Sequence, residues 1–362
     1  MTIAEQPSFP DNIQTHPLLV VDYELIKAGS AREIDTLWEA ATELGFWYLK
    51  NHGVDDEVAR MFDMGAKTMR LPMDEKMKYE QGDDGRSFGY KFAGANATDE
   101  SGNPDTVEFI NISADDALSF PTQTHRTYPS TVNEHMDDAI RPFVRKSIEI
   151  NHTLLDVLGT QLGLANGALS KRHALNEHSG SEARFIFKPP SVAEITEEKA
   201  AIGAHTDFGS LSFLHNRLGG LQVLVPGTET WQYVKPLPGH AICNLGDAMA
   251  LLSAGILRSN LHRVVPLPPP QNSFPRTSLV FFTRPGNSVQ LRALSDESEV
   301  IASAAARLFE TLRTKYFVGE GIEVPTSAEW FARRIRNQRI KNRTGPETWL
   351  ASRGTEHQPQ AV

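Results

Sequence analysis

The chain has 362 residues and a single cysteine, Cys243, so no disulfide can form within it. That scarcity fits a reducing compartment. No apolar run approaches the ~18 residues that a membrane-spanning helix needs. Basic residues are in the minority, 36 against 45 acidic, giving a formal charge of −9. This balance argues against a diffuse basic surface for nucleic acid. The first sixteen residues are polar and broken by proline, without the basic start and apolar stretch of a secretory signal. The last seven, from Glu356, carry no evident address. The expectation is a cytoplasmic protein with neither membrane nor nucleic acid as a partner. With 40% hydrophobic and 22% charged residues the chain has the means to build a sizeable core.

The pattern divides the chain in two. In the first half, Ile34, Leu37, Trp38, Ala41 and Leu44 recur at helical spacing up to Gly45, and a second helix is expected from Asp55 to about Met69. Between them Phe46 to Leu49 reads as a strand, closed by Asn51-His52-Gly53. Residues 133–164 read as a long helical stretch in which Pro142 marks a kink or a fresh start. The Gly- and Asp-rich stretch 81–122 reads as loop with short strands. From about Ala183 short apolar runs follow one another, separated by Leu218-Gly219-Gly220, Pro226-Gly227 and Pro238-Gly239, as in a sandwich or barrel. Helices return over 295–317 and 327–335. No repeat and no dividing linker is evident, so the expectation is an α+β protein with helices around a central double-sheet β unit.

Chemistry concentrates in the β region. In Gly203-Ala204-His205-Thr206-Asp207-Phe208-Gly209, His205 and Asp207 would share a face if extended, and His262 lies further on in Asn260-Leu261-His262-Arg263. Two imidazoles and one carboxylate fill one face of an octahedron, the donor set of non-haem iron(II) oxygenases. Alone, His-x-Asp is common, and a hydrogen-bonded pair inside a sheet is the simpler account. Pro275-Arg276-Thr277-Ser278 then opens a strand that continues Leu279-Val280-Phe281-Phe282. A guanidinium fork and a hydroxyl two residues apart suit a carboxylate, and an arginine inside a β core needs an anion. The plainer readings are a surface salt bridge for Arg276 and a backbone-bonded hydroxyl for Ser278.

The order His205-x-Asp207, His262, Arg276-x-Ser278 resembles the iron(II)- and 2-oxoglutarate-dependent oxygenases of the isopenicillin N synthase-like family. Further stretches carry the resemblance: Gly219-Gly220-Leu221-Gln222-Val223 with Trp231, Asn244-Leu245-Gly246-Asp247, Arg258-Ser259-Asn260-Leu261-His262, Leu44-Gly45-Phe46-Trp47 through Gly53, and Pro104 to Glu108. It covers residues 18–284. It implies a double-stranded β-helix, or jelly roll, flanked by helices. The parts would be a tail 1–17, an N-terminal segment 18–125, a long helical segment 126–179, the jelly-roll core 180–290, C-terminal helices 291–350 and a tail 351–362. By position, His205, Asp207 and His262 would bind Fe(II), and Arg276 and Ser278 would bind 2-oxoglutarate. O2 would be the other cosubstrate, and succinate and CO2 would leave. An iron(IV)-oxo species would then oxidise a C–H bond of a small molecule by hydroxylation, desaturation or ring closure, in specialised metabolism.

One departure stands out. The strand before the first ligand usually carries Asn and Tyr, where this chain has Ile186, Phe187 and Lys188. Lys188 is expected to replace the tyrosine on the cosubstrate by its charge. Tyr90, Phe92, Phe208 and Phe282 are the candidates for a substrate pocket, with core packing the alternative for each. His52, His215 and His240 read as structural, and Asp247 as a turn or supporting residue. Two other activities remain open: an oxidase that uses O2 without 2-oxoglutarate, and a zinc hydrolase, which would leave Arg276 and Ser278 without a task.

Overall fold

The structure is a computed structural model that describes residues 7–190, 200–308, 310–319 and 321–355. Of the two expected tails, residues 1–6 and 356–362 lie outside the described residues. The strands in chain order are β1 (Val20–Asp22), β2 (Phe46–Lys50), β3 (Gly89–Lys91), β4 (Glu108–Ser113), β5 (Glu182–Lys188) and β6 (Ile202–His205). There follow β7 (Leu211–Asn216), β8 (Leu221–Leu224), β9 (Trp231–Tyr233), β10 (His240–Leu245), β11 (His262–Val264) and β12 (Arg276–Thr283). Eight form one sheet in the order β1-β2-β10-β7-β12-β5-β4-β3, and four form the other, β6-β11-β8-β9. Apart from the parallel β1–β2 pair, every pairing of these strands is antiparallel. The two sheets face each other as the expected jelly roll.

The large sheet is covered on both faces, and its sequence shows why. In β2 alternate side chains part company. Phe46 and Tyr48 enter the space between the sheets with Leu221, Val223, Val234 and Ile242. Trp47 and Leu49 enter a layer shared with the helices. A half-solvated strand would alternate apolar and polar; one buried on both sides reads as a continuous apolar run. Two helices, Asp55–Met69 and Arg141–Gln161, form the outer cover. Phe62 meets Phe185 edge-on at 5.9 Å, and Phe143 meets Phe281 at 6.4 Å, an arrangement that adds to the burial of both rings.

The long helical stretch starts afresh. A π-helical turn, Met136–Ile140, leads into Arg141–Gln161, and Pro142 lies in its first turn, where a missing N–H breaks no bond. The expected helix over 295–317 is instead two, Glu299–Arg307 and Glu310–Lys315. The first begins late because Ser298 caps it, its hydroxyl accepting from the Ile301 N–H at 3.2 Å. The loop-rich stretch contributes β3 and β4 to the sheet edge, and residues 94–105 lie against β6. There a side chain on Gly203 would run into the Thr98 carbonyl.

Helix Asp55–Met69 lies so close to the sheet that a Cβ on Gly65 would overlap the buried Phe185 ring. Alanine raises helix propensity by about 1 kcal/mol over glycine, but overpacking a core costs about 1–3 kcal/mol. Gly65→Ala is therefore expected to destabilise the protein, by about 1 kcal/mol on these two figures, in urea denaturation. An unchanged or higher midpoint would show that Phe185 yields freely.

Candidate active site

Antiparallel pairing of β6 with β11 sets His205 directly opposite His262, with their ring centroids 4.3 Å apart. Asp207 comes in by a different route from the one expected. The strand ends at His205, so alternation along a strand is not what aims Asp207. The chain turns after Thr206 and hangs on the segment that follows β10. The N–H groups of Gly246, Asp247 and Ala248 donate to the carbonyls of Ser210, Asp207 and Gly209 at 3.0, 2.8 and 3.0 Å. Asp207 Oδ1 then lies 3.8 Å from His205 Nε2 and 3.7 Å from His262 Nε2. These three residues form a donor set able to hold a metal ion.

The surroundings leave the right atoms free. His205 Nδ1 donates to the Gly203 carbonyl at 2.8 Å, and His262 Nδ1 to that of Asn260 at 3.2 Å. Each Nε2 thus keeps its lone pair. Asp207 Oδ2 accepts from Ser212 Oγ at 2.5 Å and Asn244 Nδ2 at 2.7 Å, which turns Oδ1 inward. Bonds of this kind fix ligand orientation. Burial by itself would raise the Asp207 carboxyl, but His262, His205 and the bonds from Asn244 and Ser212 outweigh it and hold it at about 2. Burial, and then His262, lower His205 to about 3. At neutral pH the site therefore offers a carboxylate and, at His205, a neutral imidazole.

A cavity open to solvent lies over this set. Its walls include His205, Asp207, His262, Arg276 and Ser278, so the structure brings five of the expected residues to one space. Arg276 is 3% exposed and no carboxylate pairs with it among the described residues; its Nε donates to the Gly219 carbonyl at 2.7 Å. Burial lowers it to about 10, so it stays charged at neutral pH. The Ser278 hydroxyl is buried without a hydrogen-bond partner among the described residues. Lys188 lies opposite Arg276 in the β5–β12 register and is buried, but it is not among the cavity's lining residues. Burial, and then the Arg276 charge, lower its pKa.

The four aromatic candidates separate. Phe208 and Phe282 line the cavity. Tyr90 and Phe92 do not. Tyr90 pairs with Ile110 in the β3–β4 register and turns with it to the helical side, where its hydroxyl donates to Glu108. Phe92 packs against that same layer. A one-residue offset along a strand exchanges faces, so Phe109, next to Ile110, takes the place on the cavity wall. The sequence reading also passed over several residues. Arg184 sits between Phe109 and Phe282, at 4.3 and 4.8 Å from their centroids, and Arg284 between Phe282 and Phe331, at 5.1 and 4.3 Å. Both donate to Glu182 Oε1, at 2.7 and 3.2 Å. Even spacing from Ile186 and Phe282 could have flagged the two arginines. Nothing in the sequence marked Trp349, Ser352 and Arg353, which close the cavity from the C-terminal end.

Asp247 ties these parts together. It is fully buried and pairs with Arg334, itself 1% exposed. It also accepts from Thr206 Oγ1 at 3.2 Å, Ser259 Oγ at 3.0 Å and Thr355 Oγ1 at 2.5 Å. Removing one partner of such a pair leaves an uncompensated buried charge, at a cost of about 3–5 kcal/mol. Arg334→Met is expected to lose that much in urea denaturation, and Arg334→Met with Asp247→Asn to recover part of it. Equal losses in the single and double variants would mean that the loss does not come from an uncompensated Asp247 charge.

Comparison with known proteins places the chain. Residues 18–135 match the family model for the non-haem dioxygenase in morphine synthesis N-terminal region, and residues 182–285 match that of the 2OG-Fe(II) oxygenase superfamily. Among curated relatives, a 2-oxoglutarate-dependent dioxygenase, frbH, from Dothideomycetidae sp. is 28% identical over 282 residues, 76% of this chain and 84% of the relative. A homoarginine-6-hydroxylase from Oryza sativa subsp. japonica is 29% identical over 280 residues, 74% of this chain and 80% of the relative. Among solved structures, a full-length Neurospora crassa protein in complex with alpha-KG shares the fold, with a TM-score of 0.68, 20% identity and coverage of 91% of this chain and 99% of that one.

Proposed function

Since the chain belongs to the 2OG-Fe(II) oxygenase superfamily, and is therefore a 2-oxoglutarate-dependent dioxygenase with Fe(II) as its metal, we propose that His205, Asp207 and His262 hold the iron. We further propose that Arg276 and Ser278 bind the distal carboxylate of 2-oxoglutarate. The observation that carries this is a pair of unfilled needs in one cavity: among the described residues, a buried guanidinium with no carboxylate and a buried hydroxyl with no partner. Burying a charge or hydroxyl so is costly unless a ligand completes it. A carboxylate does, accepting from both.

The donor set fits the metal: two imidazoles and a carboxylate on one side, with the cavity on the other. When bound, the iron and 2-oxoglutarate supply the oxidising power for an unactivated C–H bond. The chain's own residues do the rest. Ser212 and Asn244 hold Asp207, and the Gly203 and Asn260 carbonyls hold the imidazoles. Lys188, opposite Arg276, adds positive charge to the carboxylate end of the site. Trp349 and Arg353 limit access of water from the C-terminal side.

The substrate is a small molecule with a flat or apolar body, set against Phe208, Phe282 and Phe109. Its outcome is hydroxylation, desaturation or oxidative cyclisation, in specialised metabolism. The Neurospora crassa protein of the same fold has also been solved with thymine, a ligand of this size and flatness.

The test is anaerobic addition of iron(II) and then 2-oxoglutarate to metal-free protein, followed in the visible spectrum. A weak charge-transfer band requiring both additions is expected, and aerobic turnover should release succinate. Two charge-assisted hydrogen bonds are worth about 3 kcal/mol together, so Arg276→Met should raise the 2-oxoglutarate requirement roughly 100-fold. Lys188→Met should raise it less, by roughly tenfold, through charge alone. A band unchanged in Arg276→Met, or product formed without succinate, would overturn the assignment.

A further inference from the structure

A second cluster of two histidines and a carboxylate lies apart from the cavity, among residues that do not line it. His125 Nε2 stands 2.8 Å from Asp115 Oδ2, and His178 Nδ1 stands 3.2 Å from the same oxygen. The three donor atoms all lie within 4.8 Å of one another, and the two rings are 5.4 Å apart, edge to face. Among the described residues, the one other contact to that oxygen is the Ser179 N–H at 3.3 Å. No lysine or arginine among them pairs with Asp115, so both imidazoles converge on a carboxylate that lacks a fixed countercharge.

We propose that Asp115, His125 and His178 form a zinc site that staples three separate segments of the chain. A tetrahedral zinc with bonds of ~2.0–2.2 Å separates its ligands by about 3.4 Å. The present spacings need only small side-chain rotations to reach that. Two nitrogens and one oxygen suit zinc better than calcium or magnesium, which take oxygen shells. His178 is largely exposed, with a side chain at 65%, so the fourth position faces solvent and takes water.

The backbone around each ligand is already held. Asp115 lies in the first turn of the short helix Ala114–Ser119, with its N–H donating to the Ser113 hydroxyl at 3.1 Å. The next residue, Asp116, accepts at Oδ1 from the N–H groups of Thr124 and His125, at 2.9 and 2.7 Å, which fixes the loop carrying His125. The His178 carbonyl accepts from the Asn287 N–H at 2.9 Å, and Glu177 Oε1 from the Ser288 N–H at 2.6 Å. The ligands are thus 10 and 53 residues apart in sequence yet set in place before any metal arrives. Zinc would close these loops, at low cost in ordering. The staple also reaches the cavity's edge. His125 packs on Phe88 at 5.0 Å. Arg126, its neighbour, donates to the carbonyls of Glu80 and Phe88. Ser87, the residue before Phe88, lines the cavity.

Zinc alone, added to the full-length metal-free protein, is the probe. The iron ligands also take zinc, so the two sites are counted separately by native mass spectrometry. Two zinc ions are expected in the unaltered protein, one in His205→Ala/His262→Ala and one in His125→Ala/His178→Ala. X-ray absorption of the zinc in His205→Ala/His262→Ala should show two imidazole nitrogens. His178→Ala alone, at an exposed position, should weaken this zinc at least about tenfold. Added to His205→Ala/His262→Ala, it should also abolish the zinc-dependent rise in Tm, while His178→Ala alone keeps 2-oxoglutarate turnover intact as proof of folding. The proposal falls if the unaltered protein and His125→Ala/His178→Ala bind the same number of zinc ions, or if His178→Ala leaves zinc affinity unchanged.

Discussion

The candidate site depends on one buried carboxylate that belongs to neither the donor set nor the Arg276–Ser278 pair. Asp247 is fully buried and gathers Arg334, Thr206, Ser259 and Thr355 around it. Each comes from a different stretch of chain: a C-terminal helix, the turn carrying Asp207, the approach to His262 and the segment beyond the last helix. Its own N–H donates to the Asp207 carbonyl. A charge taken out of water persists only when its partners are in place, so all four segments must close together or not at all. Positions of His205, Asp207 and His262 are therefore consequences of one polar knot as much as of the sheets. Local opening of the C-terminal end would expose Asp247, which couples the closure of the cavity to its integrity.

The apolar pattern made the architecture legible. Continuous runs such as Phe46 to Leu49 announce a strand covered on both sides, and the closely spaced runs after Ala183 announce the second sheet. Residue type and order, together with the family resemblance that they carry, picked out His205, Asp207, His262, Arg276 and Ser278, all of which line one cavity. Periodicity gave the wrong reason for Asp207, because the strand ends two residues earlier and backbone hydrogen bonds do the aiming. Tyr90 and Phe92 show the same limit. In a three-residue edge strand nothing in the sequence fixes which face turns inward, and the register with β4 decides it. The C-terminal wall was illegible for another reason. Trp349 and Arg353 reach the cavity through tertiary contacts, among them a bond from Arg353 to the Ala204 carbonyl, and a polar segment carries no local sign of such a role.

Charge distribution around the cavity explains how so many arginines can be buried there. Arg184 and Arg284 share Glu182, and aromatic faces cover their guanidinium planes. Lys91, fully buried, is matched by Asp105. Each of these cations has a carboxylate partner. Arg276 and Lys188 are the exception: two cations opposed across neighbouring strands with no carboxylate between them among the described residues. Like charges set so close destabilise a sheet, and burial increases the effect because little water screens them. A fold does not keep that arrangement for its own stability. The 2-oxoglutarate proposed for Arg276 would supply the anion that this arrangement lacks.

The same three side-chain types occur twice in this chain, and their surroundings separate their uses. At His205, Asp207 and His262 every spare atom is occupied by a carbonyl, a hydroxyl or an amide, and a large cavity adjoins the donors. That combination would keep a metal in one geometry while leaving space beside it. At Asp115, His125 and His178 the supporting bonds go to the backbone around the ligands, and the site faces solvent with no comparable cavity beside it among the described residues. A metal there meets water and little else, so it can tie loops but has no space in which to position a substrate. On the two proposals, identical donors would do chemistry in one place and hold structure in the other, and the difference lies in what the neighbouring strands and loops leave open.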